Sequence, residues 1–229
     1  MKVIGIIAAM EQEYKEIQKV MTEIEKEEIS GLRFTKGMIN DKPCVLVRSG
    51  VGKVHAGRTT QVLIDNFDVE YIINAGTSGA ISNLLEIGDV IVGKHVVQHD
   101  FDITAFDHSK GYIPGIGDRV VCDRNLIDEF ENIIIHSNEK TYKIKLGVVA
   151  TGDIFVTESS MKDKIRAKFD ADVVDMECGA IAQVAYLNRV PFMVIRVISD
   201  IPNGKNSLTH QSNLQLATRR CAVILKEFL

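Results

Sequence analysis

The sequence contains no tryptophan, and phenylalanine and tyrosine bring the aromatic share to only 6%. That is too few rings for a platform that stacks many bases of a nucleic acid, although a single base could still find a phenylalanine. Positive charge is not in excess either. Lysine and arginine number 27 against 31 aspartates and glutamates, a net charge of −4. A weakly acidic chain is a poor electrostatic partner for nucleic acid. No run reaches the ~18 apolar residues that span a bilayer, so no membrane partner is expected. The apolar start, Val3 to Met10, is followed at once by Glu11, Glu13 and Glu16, which does not suit a signal peptide. Cysteine is sparse and scattered, at Cys44, Cys122, Cys178 and Cys221, with no C-x-x-C spacing. These read as reduced thiols of a cytoplasmic protein.

What remains is ordinary for a soluble globular chain: 229 residues, 45% hydrophobic and 25% charged. One domain over 1–229 is expected, large enough to bury a core without a disulfide or a metal. Short, β-branched-rich runs at Val3–Met10, Cys44–Arg48, Tyr71–Asn74, Val90–Val97, Leu146–Ala150, Val173–Met176 and Phe192–Ile198 predict strands covered on both faces. Between them, 54–66, 125–136, 159–169, 178–187 and 214–229 carry helical patterns. In the first of these, Val54, Thr59, Val62, Leu63 and Phe67 fall near one face. Strands alternating with helices predict an α/β fold with a largely parallel sheet. The stretch from Gln98 to Arg119, with Gly111, Pro114, Gly115 and Gly117, reads as a long loop of the kind that serves function or an interface.

Two glycine-containing segments follow strands. Ser49-Gly50-Val51-Gly52-Lys53-Val54 lacks the Ser or Thr that a phosphate-binding loop carries after its lysine, so nucleotide binding through it is not expected. Asn74-Ala75-Gly76-Thr77-Ser78-Gly79-Ala80 puts small residues at a strand's carboxyl end, where open α/β sheets take their ligands. The sharpest signal is acidic. Glu11 and Glu13 follow one strand, Asp175 and Glu177 end another, and Asp200 ends a third, in which Arg196 lies amid apolar residues and calls for a buried partner. His95 and His99 are four apart, but in an extended segment that is roughly 13 Å, too far for one metal ion.

With Ala9-Met10-Glu11-Gln12-Glu13, Gly152-Asp153-Ile154-Phe155-Val156, Asp175-Met176-Glu177 and Arg196-Val197-Ile198-Ser199-Asp200 added to the two glycine segments, the chain resembles the bacterial 5′-methylthioadenosine/S-adenosylhomocysteine nucleosidases of the nucleoside phosphorylase superfamily. The resemblance runs nearly end to end, in the family's order. It implies a three-layer αβα fold with a central mixed, partly barrel-like sheet surrounded by helices. It also implies a homodimer and hydrolysis of an N-glycosidic bond that releases adenine, with no metal or cofactor.

By the same resemblance Glu13 is the general base and Asp200 the acid at the purine. Glu177 and Met176 meet the ribose, and Arg196 and Thr77 lie near it and the attacking water. Phe155 stacks on adenine, Val156 offers its backbone to the purine, and Ser199 accompanies Asp200. Met10 and Val51 line the 5′ pocket. Phe106, His108 and Pro114 belong to a loop that closes that pocket across the dimer interface. The chemistry suits these types. Adenine leaves once N7 is protonated, the oxocarbenium-like ribose favours nearby negative charge, and a base activates water.

Four positions depart from the family's usual pattern: Asp175 for Glu, Thr77 for Ser, Cys178 for Ala or Gly, and His210 for Phe. The last implies a less purely apolar 5′ pocket. Competing readings are a purine nucleoside phosphorylase of the same fold, a nucleosidase acting on an adenosine derivative with another 5′ group, and a non-catalytic nucleoside-binding protein. Phosphate normally wants arginines, where this chain has Glu11 and Glu13.

Overall fold

The computed structural model describes residues 2–135, 141–202 and 210–229, with the backbone alone at 135, 210 and 211. In chain order the elements are β1 (Val3–Ala8), α1 (Glu11–Gln18), β2 (Thr22–Ile29), β3 (Leu32–Ile39), β4 (Lys42–Arg48), α2 (Lys53–Asn66), β5 (Val69–Ala80) and β6 (Val90–Gln98). There follow β7 (Val120–Val121), α3 (Arg124–Phe130), β8 (Ile144–Thr151), α4 (Ser159–Phe169), β9 (Val173–Asp175), α5 (Cys178–Leu187), β10 (Phe192–Asp200) and α6 (His210–Phe228). All seven apolar runs form strands. Each expected helix is present, α3 continuing into a wider turn over Glu131–Ile135.

Among the described residues the ten strands form one mixed sheet. Strands β5, β10, β6, β8 and β9 close on themselves into a five-stranded barrel. Its β5–β10, β6–β8 and β8–β9 pairs are parallel, and its β10–β6 and β9–β5 pairs antiparallel. From β5 an open arm runs β1, β4, β3, β2, starting parallel and ending in an antiparallel hairpin. Strand β10 is buried along its whole length, as its continuous apolar run requires. Helices cover the sheet, and the main core lies between them, with Ile6, Ile72, Phe130 and Phe228 among its buried members. A smaller core under α4 gathers Ile81, Val97, Val148, Val156, Phe169 and Val174.

Several features depart from the expected pattern: the sheet is mixed rather than largely parallel, and α1, β2, β3 and β7 are additional to the elements expected. Strand β2 (TEIEKEEI) is exposed over nearly its whole length, so no apolar run announces it. Helix α2 turns Ala56, Thr59, Thr60 and Leu63 inward, while Val54 is 82% exposed. The inward face packs on α5, where a Cβ on Gly57 would make ordinary contact with Val184 at 3.6 Å. Among the described residues no helix is long and apolar enough to cross a membrane.

Candidate active site

The carboxyl ends of β1, β5, β9 and β10 meet at one mouth of the barrel. Glu13 reaches it from the first turn of α1. Its Oε2 accepts the N–H groups of Ala9 and Met10 at 3.0 and 2.9 Å, holding the helix start in place. Its Oε1 accepts the N–H and hydroxyl of Thr77 at 2.8 and 3.0 Å. The carboxylate is thus fixed by four donors and is only 2% exposed. Gly76, just before Thr77, makes this approach possible. A Cβ there would lie 2.3 Å from a guanidinium nitrogen of Arg196 and 2.7 Å from Glu13 Oε1.

Arg196, fully buried, finds its partner in Asp175, with Nη2 to Oδ2 at 2.7 Å. The same Nη2 donates to Asn74 Oδ1 at 2.7 Å, and Nε donates to Cys178 Sγ at 3.2 Å. Asp175 also accepts the Thr151 hydroxyl at 2.5 Å and the backbone N–H groups of Glu177 and Cys178 at the start of α5. Burial alone would push its carboxyl up; the Arg196 charge and these donors overcome that and hold it below the usual carboxylate range. Two residues on, Glu177 has the opposite fate. Burial, joined by the charge of Asp175, raises its carboxyl to about 7, against the pull of Arg196 and of the Gly52 N–H that it accepts at 2.9 Å. The turn bringing Gly52 there needs positive φ at Gly50 (88°) and Gly52 (96°), which explains both glycines without a phosphate.

A cleft of about 190 Å³ opens at this mouth. Met10, Glu13, Val51, Thr77, Phe155, Val156, Met176, Glu177, Ser199 and Asp200 all line it. Ser199 donates its hydroxyl to Asp200 Oδ1 at 2.9 Å. Ten of the expected site residues are therefore brought together. Arg196 is not among the residues lining the cleft; its Nη2 and Nε are held by Asn74, Asp175 and Cys178, while its Nη1 lies beside Gly76, near the Glu13 carboxylate. Phe106, His108 and Pro114 are also away from this chain's cleft and exposed, Phe106 by 75%. His108 stacks on Tyr112 instead. The side chain of His210 lies outside the described residues.

Besides Asp175, six further lining residues escaped the sequence reading as site residues; Ala9 and Ser78 lie inside the quoted motifs. Ile154 and Val174 adjoin expected positions. Leu214 is on α6, where its spacing suggested only core. Gly79 could have been found from the small-residue run at the end of β5: a Cβ there would approach Asp200 Oδ2 to 2.9 Å.

A closed barrel with an open arm and four carboxylates at its mouth defines a nucleoside-processing member of the phosphorylase superfamily, whose family model matches residues 3–229. The chain is 36% identical over 227 residues to the 5′-methylthioadenosine/S-adenosylhomocysteine nucleosidase of Staphylococcus carnosus, covering 99% of this chain and 98% of that one. The corresponding enzyme of Neisseria meningitidis, solved with methylthio-immucillin-A, superposes with a TM-score of 0.94 at 30% identity, covering 100% and 98%. The futalosine hydrolase of Helicobacter pylori matches with a TM-score of 0.93 at 31% identity, covering 99% and 97%. The chain belongs to the 5′-methylthioadenosine/S-adenosylhomocysteine nucleosidase family.

Proposed function

We propose that this protein hydrolyses the N-glycosidic bond of 5′-methylthioadenosine and S-adenosylhomocysteine, releasing adenine and the 5′-thio-substituted ribose. The observation that carries this reading is that Glu13 and Asp200, 187 positions apart in the chain, line the same cleft with Glu177. Asp200 donates a proton to the purine at N7, making adenine a competent leaving group. Phe155 stacks on the base, and the backbone of Val156 bonds its edge. Glu177, ionised, grips the ribose hydroxyls and stabilises the oxocarbenium-like sugar. Glu13 orients and deprotonates the attacking water, its own position fixed by Thr77 and the start of α1. Met10, Met176 and Val51 shape the ribose and 5′ side.

Hydrolysis is favoured over phosphorolysis because no lysine or arginine is among the described residues lining the cleft. A phosphate ion would meet Glu13 there instead of a guanidinium. A second reading, cleavage of a nucleoside with a different 5′ group, draws on the likeness to futalosine hydrolase. Two finer features belong to the proposal. The exposed Phe106, His108 and Pro114 close the 5′ pocket of a second copy in a homodimer, a reading supported by the exposed apolar Val51, Val54 and Leu187. The protein works in the cytoplasm, in keeping with its four free, buried thiols.

Adenine release over a panel of methylthioadenosine, S-adenosylhomocysteine, 5′-deoxyadenosine and futalosine, with and without phosphate, tests the reading. Methylthioadenosine turns over, phosphate gives no acceleration, and no ribose-1-phosphate forms. Phosphate-dependent turnover would overturn it. Light scattering during size-exclusion chromatography reads the dimer directly.

A further inference from the structure

The Ser49–Val54 turn has more to do than shape the start of a helix. Two backbone N–H groups at the head of the 14-residue helix α2 point at carboxylates of the protein itself. Gly52 donates to Glu177 Oε1 at 2.9 Å, and Lys53 donates to Asp153 Oδ1 at 2.8 Å. A helix N-terminus carries partial positive charge and attracts anions; here two side chains from different walls of the cleft fill it. Glu177 comes from the ribose side. Asp153 comes from the segment after β8 that carries Ile154, Phe155 and Val156.

Asp153 is held from both sides. Its own N–H donates to Asp100 Oδ2 at 2.9 Å, and Asp100 Oδ1 accepts Lys53 Nζ at 2.7 Å. Lys53 Nζ also donates to Gln98 Oε1 at 3.2 Å. The lysine and Asp100 side chains are 19% and 17% exposed, so water screens this pair only weakly. Burial pushes the Asp100 carboxyl up, but Lys53 and the Asp153 N–H outweigh it and hold it low. Side chains pack closely on the backbone alongside. A Cβ on Gly152 would lie 2.4 Å from the His99 ring, and one on Gly52 would lie 3.1 Å from Asp153 Oδ1. Beyond, Val156 is buried in the smaller core. Ile154 and Phe155, 44% and 55% exposed, lie between these two fixed points.

We propose that Asp153 is a positioning residue for purine recognition. With Lys53 and Asp100 it locks segment 152–156 to the same turn that holds Glu177, so that one latch sets both the purine wall and the ribose wall of the cleft. This rests on the nucleosidase reading above. The test compares Asp153→Ala, Asp153→Asn and Lys53→Met with the wild type. It measures the Kd of adenine by calorimetry, KM and kcat for methylthioadenosine, and the melting temperature.

Asp153→Ala weakens adenine binding about tenfold, the effect of losing one hydrogen bond to a charged group. KM rises in parallel, and kcat falls less than the affinity does, because Glu13 and Asp200 are untouched and Glu177 keeps the Gly52 N–H. Asp153→Asn, which keeps an oxygen for the Lys53 N–H, recovers most of the binding; Lys53→Met behaves like the alanine variant. A purely structural role moves the melting temperature and leaves adenine affinity alone in folded protein, which overturns the proposal. So does an asparagine variant as weak as alanine. If Asp153→Ala does not fold, wild-type adenine affinity in folded Lys53→Met overturns it equally. Wild-type protein that releases no adenine overturns the nucleosidase reading; release by the wild type beside unaffected variants overturns the latch alone.

Discussion

Acidic side chains occupy two regions of this molecule under opposite conditions. At the barrel mouth Glu13, Asp175, Glu177 and Asp200 are each less than a tenth exposed and held by specific donors. Along β2, Glu23, Glu25, Glu27 and Glu28 stand in solvent, with Lys36 pairing Glu25 and Glu27 at 3.2 and 3.1 Å. The residue types are the same; the dielectric around them is not. In water a charge interacts weakly and is screened, whereas a desolvated one is dominated by its few neighbours. Asp175 and Glu177 show how fine that control is, since two residues of separation decide whether a carboxyl is held low or raised to about 7.

The contrast sharpens most in catalysis. Glu13→Gln and Asp200→Asn each lower kcat for adenine release by roughly 10²–10⁴, the range for general acid–base groups; Glu13→Gln also lowers the melting temperature, because its amide NH2 faces two of the four donors that the carboxylate accepts. A near-wild-type rate in either variant removes that residue from the mechanism.

Stability comes next. Asp175→Asn leaves Arg196 buried and uncompensated, which costs about 3–5 kcal/mol in urea unfolding. Because the folded state holds this carboxyl low, its stabilisation is present above the ordinary carboxylate range and is lost as pH falls through the folded value. The variant lacks that acid loss.

Glu177 carries the opposite sign. Its carboxyl rises from 4.5 to about 7 on folding, so the folded state keeps a proton that the unfolded chain has released. Its contribution to stability therefore declines as pH climbs from 4.5 to 7 and is level beyond. Glu177→Gln removes this slope from melts collected across that interval. It also removes the limb in kcat/KM that the wild type shows near pH 7 as Glu177 ionises. A slope unchanged in the variant means another group is titrating.

The smallest effect belongs to the strand in solvent. Glu25→Gln combined with Glu27→Gln shifts stability by less than about 0.5 kcal/mol, less still in high salt, and leaves adenine release unaltered. A loss of activity there would erase the distinction between the two regions.

The same divide governs what could be read from sequence. Buried strands announce themselves because both faces demand apolar, β-branched residues, as β1, β6 and β10 do. Strand β2 has Ile24 as an exposed apolar residue and otherwise reads as a charged loop. Helix α1 was hidden for a related reason, its glutamates resembling a solvated strand end although Glu13 closes the helix's own first turn. Most site residues were legible as motifs at strand ends. Their connections were not. Lys53, Asp100 and Asp153 are spread over a hundred positions and share no spacing, and Arg196, held by Asp175 and Asn74, is not among the residues lining the cleft. Val54 falls off the buried face of α2, which is made by Ala56, Thr59, Thr60 and Leu63 rather than by the largest apolar residues alone.

Strand β2 ends the open arm of the sheet, while the barrel's own strands close on one another. A terminal strand exposes a row of unsatisfied N–H and C=O groups that invites pairing with another chain. Here any second copy approaching edge to edge brings Glu23, Glu25, Glu27 and Glu28 against their own like. These glutamates, which do not line the cleft, disfavour strand-by-strand pairing through like-charge repulsion. They leave self-association to faces where apolar side chains, not backbone hydrogen bonds, make the contact.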